Sequence, residues 1–119
     1  MAANITPEVL QTMLASLKGV LVLKFGADWC GPCKTIAPVV AQYKPNLQIF
    51  EIDVDESLDL FVAFKRRKMV VGLPTMLAFY GDVKREAWYI ADDSVVGADL
   101  NQVTLFLNRC IAKQLKLMS

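Results

Sequence analysis

The feature that most constrains this chain is a pair of cysteines, Cys30 and Cys33, placed between an apolar run and the start of a predicted helix. The run over residues 20–25 is β-branched and apolar and is bounded by Gly19 and Gly26, which predicts a strand buried on both faces of a parallel or mixed sheet. A helix N-terminus brings partial positive charge and free N–H groups to the first sulfur, and both favour the thiolate. The second cysteine lies one turn into the helix, close enough to form a disulfide. A bare C-x-x-C also occurs in zinc sites, so the spacing alone leaves both kinds of site open.

Composition removes several other kinds of chemistry. The chain has 119 residues, which predicts a single domain over 1–119, and 55% of them are hydrophobic, which argues against disorder. With no histidine there is no Ser-His-Asp or Cys-His pair and no His-ligated metal, and three cysteines cannot form a four-thiolate zinc site. Thirteen basic residues against twelve acidic ones give no electrostatic case for a nucleic-acid partner. Enzymatic chemistry would therefore have to come from thiols, carboxylates, lysines or a cofactor.

The N-terminus and the apolar runs bear on localisation. Residues 1–8 contain no basic region followed by an apolar one, which is not typical of a secretory signal, and they carry Glu8 and no arginine. Uninterrupted apolar runs are far shorter than the roughly 20 residues needed to span a bilayer. A sparse, odd set of cysteines fits a reducing compartment. We expect a cytoplasmic protein without a membrane partner.

Segment types alternate along the chain, which predicts an α/β fold. Thr6 and Pro7 are typical of a helix start, and Pro38 inside the second helix predicts a kink. The order is αβαβα followed by ββα, so the first strands should be parallel and the last pair antiparallel. Helices are predicted over 7–18, 33–43, 58 into the basic stretch 65–68, and 99–115; strands are predicted over 20–25, 47–54, 74–80 and 88–90.

The string Trp-Cys-Gly-Pro-Cys-Lys over residues 29–34 resembles the active-site motif of the thioredoxin family. Leu73-Pro74-Thr75 resembles that family's cis-proline loop, and the resemblance covers nearly the whole chain. Later family landmarks match as well, at Pro38, Phe79 and Val96-Gly97-Ala98. The resemblance implies a thioredoxin fold, in which a central mixed β-sheet is flanked by helices on both faces.

The resemblance also implies a protein disulfide reductase. Cys30 would attack a substrate disulfide and Cys33 would resolve the mixed disulfide, leaving a Cys30–Cys33 disulfide. No bound cofactor or metal would be needed, because electrons would come from a thioredoxin reductase. The partners would be protein disulfides, and the protein would act as a monomer in electron transport and cell redox homeostasis. Substrate contacts would fall at Trp29, Gly31, Pro32, Leu73, Pro74 and Gly97.

Lys24 departs from the family pattern. The family usually carries a buried aspartate at this strand position, where it assists proton transfer at the second cysteine. A buried ammonium is costly without a partner, and Glu51 on the neighbouring strand offers one. In one interpretation the pair is charge-swapped, and Glu51 or Lys24 takes the proton role. In the other, Lys24 extends to the end of the strand and has no catalytic part.

Gly26 is a second departure, because many bacterial members carry an aromatic residue there. The run Phe-Gly-x-Asp-Trp resembles a thioredoxin-like spliceosomal subunit that lacks C-x-x-C. The alternative function is therefore a specialised binding or adaptor protein with a narrow range of partners and little reductase turnover. The intact Cys30 and Cys33 pair argues against it.

Two stretches look longer than in a minimal thioredoxin, over residues 56–73 and 81–96. The first holds the basic run 65–68, either a solvated helix end or a surface that recognises an acidic partner. The second holds Trp88 and Tyr89, interpreted as strand packing or as a docking surface. Cys110 lies on the apolar stripe of the last predicted helix. It is interpreted either as a core residue or as a site of regulatory oxidation or dimerisation. Asp53, Asp55 and Glu56 are interpreted as solvated or capping carboxylates rather than a metal cluster.

Overall fold

Four strands and four helices make up residues 4–119, which the computed structural model describes. Residues 1–3, part of the stretch considered for targeting, lie outside the described residues. The helices are α1 (Pro7–Ala15), α2 (Gly31–Tyr43), α3 (Leu58–Arg66) and α4 (Leu100–Met118), and the strands are β1 (Val20–Gly26), β2 (Gln48–Asp53), β3 (Thr75–Tyr80) and β4 (Asp93–Val96). None of the helices in this part of the chain combines the length and the apolar character that a membrane span requires.

The strands form one mixed sheet in the order β2-β1-β3-β4. β1 pairs with β2 in parallel and with β3 antiparallel, and β4 closes the other edge antiparallel to β3. A parallel pair needs a crossover, which α2 supplies between β1 and β2. β1 is thus central, which explains why its first six residues are all buried. The predicted mixed sheet is confirmed.

The two faces of the sheet are covered by different helices. Alternate residues of β1, such as Leu21 and Phe25, pack with Leu10 of α1 and Phe64 of α3. The intervening ones, such as Val22, pack with residues of α2 and α4. Because side chains alternate across a strand, Lys24 and Gly26 lie on the same face as Val22, the face that α2 covers. The prediction of helices on both faces is confirmed.

The last strand lies elsewhere than predicted. Residues 88–90 form no strand, and β4 is instead Asp93–Val96, where Thr75 opposes Val96 and Ala78 opposes Asp93. Its neighbour in the chain, Asp92, fixes this register, because its backbone N–H donates to Ala78 and its carboxylate accepts the N–H of Tyr80. Tertiary hydrogen bonds thus override the higher β propensity of Trp88 and Tyr89.

A buried ion pair holds the loop between β3 and β4. Arg85 donates to the Asp92 carboxylate at 2.9 Å and to the carbonyls of Tyr80 and Ile90. Both side chains are only 12% exposed. Because Arg85 donates to these two backbone carbonyls, they need no hydrogen-bond partner in a neighbouring strand.

Trp88 and Tyr89 pack on the end of α3 rather than within the sheet. Trp88 lies edge-on to Phe64 with ring centroids 5.5 Å apart, and the Arg67 guanidinium lies over both Tyr89 and Trp88, at 4.6 and 5.7 Å. The interpretation as strand packing is wrong, because the rings pack on α3 from a loop, and the alternative of a docking surface stays a prediction.

Helix ends also differ from the predicted bounds. α1 begins as predicted, with the Thr6 hydroxyl accepting the N–H of Val9, but it ends at Ala15. α2 begins at Gly31 rather than Cys33 and continues across Pro38. α3 ends within the basic run, at Arg66.

Candidate active site

Cys30 and Cys33 lie at the N-terminus of α2 and are joined by a disulfide, with Cα atoms 5.4 Å apart. Cys30 is the N-cap residue, and its sulfur accepts the backbone N–H of Cys33 at 3.2 Å. Gly31 and Pro32 occupy the first two helical positions, where the N–H that proline lacks would have no intrahelical partner. The N–H contact and the helix dipole would both stabilise a thiolate on Cys30 once the disulfide is reduced.

The loop before β3 carries the proline that the sequence singled out. The Leu73–Pro74 peptide bond is cis, and the Thr75 hydroxyl donates to the carbonyl of Gly72 at 2.5 Å. The Gly97 N–H donates to the Pro74 carbonyl at 2.8 Å, and Gly97 adopts φ +93°, a conformation that favours glycine. Gly97 therefore fixes the proline loop from the end of β4.

A groove of about 420 Å³ runs beside the disulfide. Trp29 forms one rim, with 69% of the residue exposed, and its indole N–H donates to Asp55 at 2.9 Å. The lining residues come from the active-site loop, α3 and the proline loop: Trp29, Cys30, Gly31, Pro32, Phe61, Lys65, Val70, Val71, Gly72 and Leu73. Four of the six predicted substrate contacts thus line one groove with Cys30, whereas Pro74 and Gly97 do not line it.

A second, smaller cavity of about 200 Å³ lies on the other side of the cysteine pair. Its lining includes Cys33, Gly26, Lys24 and Glu51. A Cβ atom at Gly26 would lie 3.2 Å from the Cys33 sulfur, closer than ordinary van der Waals contact. Because Gly26 has no side chain, the space beneath Cys33 stays open, and one cavity extends from Cys33 to Lys24.

Lys24 and Glu51 face each other in the parallel register of β1 and β2, and their side chains form an ion pair at 3.1 Å. Lys24 is 5% exposed, whereas the Glu51 side chain is 35% exposed and its other oxygen accepts from Lys44. Lys24 is the fifth of seven strand residues and its ammonium ends on Glu51. The expected pairing of Lys24 with Glu51 is therefore present, and a catalytic part for either residue stays a prediction.

The environment of Glu51 keeps it ionised. Burial opposes the charge and by itself raises the pKa of Glu51, but the hydrogen bonds and charges of Lys44 and Lys24 outweigh it and leave that pKa below its ordinary value. The buried Lys24 therefore faces a carboxylate that is charged at neutral pH.

Of the remaining candidates, Asp53 lines the smaller cavity, whereas Cys110 lines neither the cavity nor the groove. Cys110 is fully buried, and that burial, reinforced by the charge of Asp93, raises its pKa to about 12. Asp53 accepts the backbone N–H groups of Asp55 and Glu56, so it caps a turn. Within residues 4–119, no group of three or more His, Cys, Asp or Glu side chains is placed to hold a metal ion.

The sequence missed several residues of the two cavities. Phe61 and Val71 line the groove together with Lys65, which the sequence marked only as part of the basic run, and Lys44 completes the charge cluster at Glu51. The spacing of Phe61 and Lys65 by four residues on one helix puts them on the same face, which could have indicated a joint role. Lys44 carried no such signal, because its partner lies on the following strand.

Comparisons with known proteins agree with this geometry. The family model for thioredoxin matches residues 2–100. Thioredoxin-2 of Pyricularia oryzae is 40% identical over 89 residues, which span 72% of this chain and 45% of that protein. The bifunctional thioredoxin reductase/thioredoxin of Mycobacterium leprae is 40% identical over 73 residues, 58% of this chain and 15% of that one. In both cases the chain spans less than half the length of its relative.

A solved structure supports the same fold. The crystal structure of Plasmodium falciparum thioredoxin superposes with a TM-score of 0.68, covering 91% of this chain and 84% of that one at 22% identity. At that identity the likeness establishes the fold alone, whereas the family match covers most of the chain. The chain belongs to the thioredoxin family.

Proposed function

We propose that this protein is a thiol–disulfide oxidoreductase that reduces disulfide bonds in other proteins. The observation that carries the proposal is the disulfide at the N-terminus of α2, where the sulfur of Cys30 caps the helix. A cysteine in that position has its thiolate stabilised by the helix N-terminus, and Cys30 lines a groove of about 420 Å³ in which a substrate segment would lie. Family membership supports the same chemistry.

The exchange runs in two displacement steps. The Cys30 thiolate attacks one sulfur of a substrate disulfide, which forms a mixed disulfide and releases the first substrate thiolate to take up a proton. The Cys33 thiol loses its proton and attacks the Cys30 sulfur, which forms the Cys30–Cys33 disulfide and releases the second substrate thiolate. The substrate gains two electrons and the protein dithiol loses them, so the reaction needs no bound cofactor.

Lys24 and Glu51 would assist the second step. Lys24, Glu51 and Cys33 line the same cavity, and Gly26, two residues after Lys24 on the same face of β1, lies directly beneath the Cys33 sulfur. A cation in that cavity would favour the Cys33 thiolate, and the ion pair with Glu51 holds the Lys24 side chain there. The proton would leave through the cavity they share, with Glu51 as its acceptor.

That role has its own test. The rate of resolution of a preformed mixed disulfide on Cys30 would be measured against pH in the parent and in Glu51→Gln. We expect the half-maximal rate of the variant to move to higher pH. Identical profiles would remove the pair from the mechanism.

The docking surface and the partners follow from the same function. Trp29, Gly31, Pro32 and Leu73 would contact the substrate in the groove, and Pro74 and Gly97 would hold the proline loop in place for it. A thioredoxin reductase would return electrons to the disulfide. We further propose a cytoplasmic monomer that serves electron transport and redox homeostasis, since a reactive dithiol is kept reduced in a reducing compartment.

A reductase assay tests the central proposal. The protein, a thioredoxin reductase and NADPH would be mixed with a generic protein disulfide such as that of insulin, with Cys30→Ser as the inactive control. We expect NADPH oxidation that depends on Cys30. Failure with every generic disulfide, while Cys30 is still readily oxidised, would favour the adaptor protein, and Cys33→Ser would then trap its partners as mixed disulfides.

A further inference from the structure

The groove beside the disulfide has an uneven charge. Nine of its ten lining residues carry no charge, and the tenth is Lys65, at the end of α3. The Lys65 ammonium lies 5.5 Å from the centroid of the Phe61 ring, which also lines the groove, so this exposed charge borders the groove wall. Asp55 accepts the indole N–H of Trp29 and is not among the lining residues.

The cations near the groove lack carboxylate partners. Elsewhere in residues 4–119, Lys24, Lys44, Arg85, Arg109 and Lys113 each form an ion pair. Within that described part, Lys65, Arg66 and Lys68 form none, although all three are exposed. Arg67 is the member of the run that is used internally, stacked on Tyr89 and donating to the carbonyl of Ala63. Three unneutralised cations therefore follow one another closely at the end of α3, and Lys65, the first of them, lines one end of the groove.

We infer that this end of the groove selects disulfide substrates whose cysteine is flanked by acidic residues. The inference rests on the proposed exchange at Cys30 and names the substrate class that it would favour. A segment that presents its disulfide to Cys30 crosses the apolar groove, and a carboxylate a few residues away meets Lys65, with Arg66 and Lys68 adding attraction at longer range. Such rim charges act on association rates and partner choice more than on the chemical step.

The experiment compares three peptides that differ only near the cysteine. Each is a disulfide-linked peptide whose cysteine is flanked by Glu, Gln or Lys residues, and each is mixed with the pre-reduced protein at low ionic strength. We expect the Glu peptide to react roughly tenfold faster than the Lys peptide, with the Gln peptide between them, since each exposed charge pair contributes up to about fivefold. The ratio should shrink at high salt, because exposed charges are screened.

Matched variants locate the effect. Lys65→Gln should lower the Glu-to-Lys rate ratio about threefold. Lys18→Gln should leave it unchanged, because Lys18 is exposed, precedes β1 and lies at the opposite end of that strand from the disulfide. Lys65 also lies in the last turn of α3, where a cation complements the helix dipole. Thermal unfolding is therefore measured in parallel, since a purely structural role would lower the melting temperature and leave the ratio intact.

The possible outcomes separate the two proposals. Reaction of the Gln peptide at Cys30 supports exchange, and equal rates for the Glu and Lys peptides would then overturn the acidic preference alone. An unchanged Glu-to-Lys rate ratio in Lys65→Gln would also overturn the acidic preference. No reaction with any peptide would overturn the exchange activity, and the inference with it.

Discussion

Replacing Glu51 by glutamine should destabilise the protein because it leaves the buried ammonium of Lys24 without its charged partner. The two groups lie 3.1 Å apart, and at an effective dielectric constant of about 20 their attraction is roughly 5 kcal/mol before desolvation is counted. Removing one partner of a fully buried pair costs about 3–5 kcal/mol. The Glu51 side chain is 35% exposed, so water can take part of its place. We therefore expect Glu51→Gln to lower the free energy of unfolding by about 2 kcal/mol.

Two further variants isolate the buried charge as the cause. Lys44→Gln removes the exposed partner of Glu51 and should cost less than about 1 kcal/mol. The double variant Lys24→Met/Glu51→Gln leaves no buried charge and should regain most of the lost stability. Urea unfolding of the oxidised proteins measures all three. With a slope of about 2 kcal/mol/M, Glu51→Gln should move the midpoint by about 1 M. Equal losses of stability in Glu51→Gln and Lys44→Gln would refute the reasoning. A double variant less stable than Glu51→Gln would refute it as well.

The same pair predicts how stability depends on pH. The pKa of Glu51 is lower in the folded protein than its ordinary value of 4.5, because the hydrogen bonds and charges of Lys44 and Lys24 outweigh the burial that raises it. Its contribution to stability is therefore complete above pH 4.5 and is lost as the pH falls through the lower, folded value. The stability difference between the parent and Glu51→Gln should be constant near neutral pH and shrink in acid.

Three other predictions follow from single contacts. Gly26→Ala places a Cβ 3.2 Å from the Cys33 sulfur, which is fixed in the disulfide but can move away as a free thiol. We therefore expect the oxidised form alone to be destabilised by about 1 kcal/mol. The measurement is the reduction potential, which should be about 20 mV higher. Arg85→Gln leaves Asp92 buried without its ion pair and should lower the free energy of unfolding by about 3 kcal/mol in thermal denaturation, whereas an unchanged melting temperature would show that the loop does not depend on the pair. Cys110 should resist iodoacetamide in the folded, reduced protein and react only after unfolding, which mass spectrometry of the labelled peptides would test.

The parts of the fold that could be predicted from sequence are those set by local pattern. Apart from Lys24, residues 20–25 of β1 are apolar because the strand is central, and Thr6 and Pro7 mark the start of α1 by their own chemistry. β4 gave no such signal, because Val95 is the one residue of that edge strand that is buried. Its position depends on hydrogen bonds from Asp92 to β3, which no local pattern reveals.

The candidate site divides in the same way. The cysteine motif and the proline loop are contiguous strings, so their residues could be named from the sequence. The pairing of Lys24 with Glu51 could be expected because both lie on strands predicted to be neighbours and parallel. Phe61, and the place of Lys65 at the groove, were missed because an amphipathic helix pattern indicates which face is buried and does not show which residues border a groove.

The burial of Cys110 has a consequence for proton counting. The chain has no histidine, and the third thiol titrates only near pH 12, far from the range in which thiolates work. A difference titration between the reduced and oxidised protein cancels every group common to both forms. The protons that remain in the difference between pH 5 and pH 10 come from Cys30 and Cys33 and from any group that senses them. Potentiometry on the whole protein, without isotopic labels, can thus follow the two catalytic sulfurs directly.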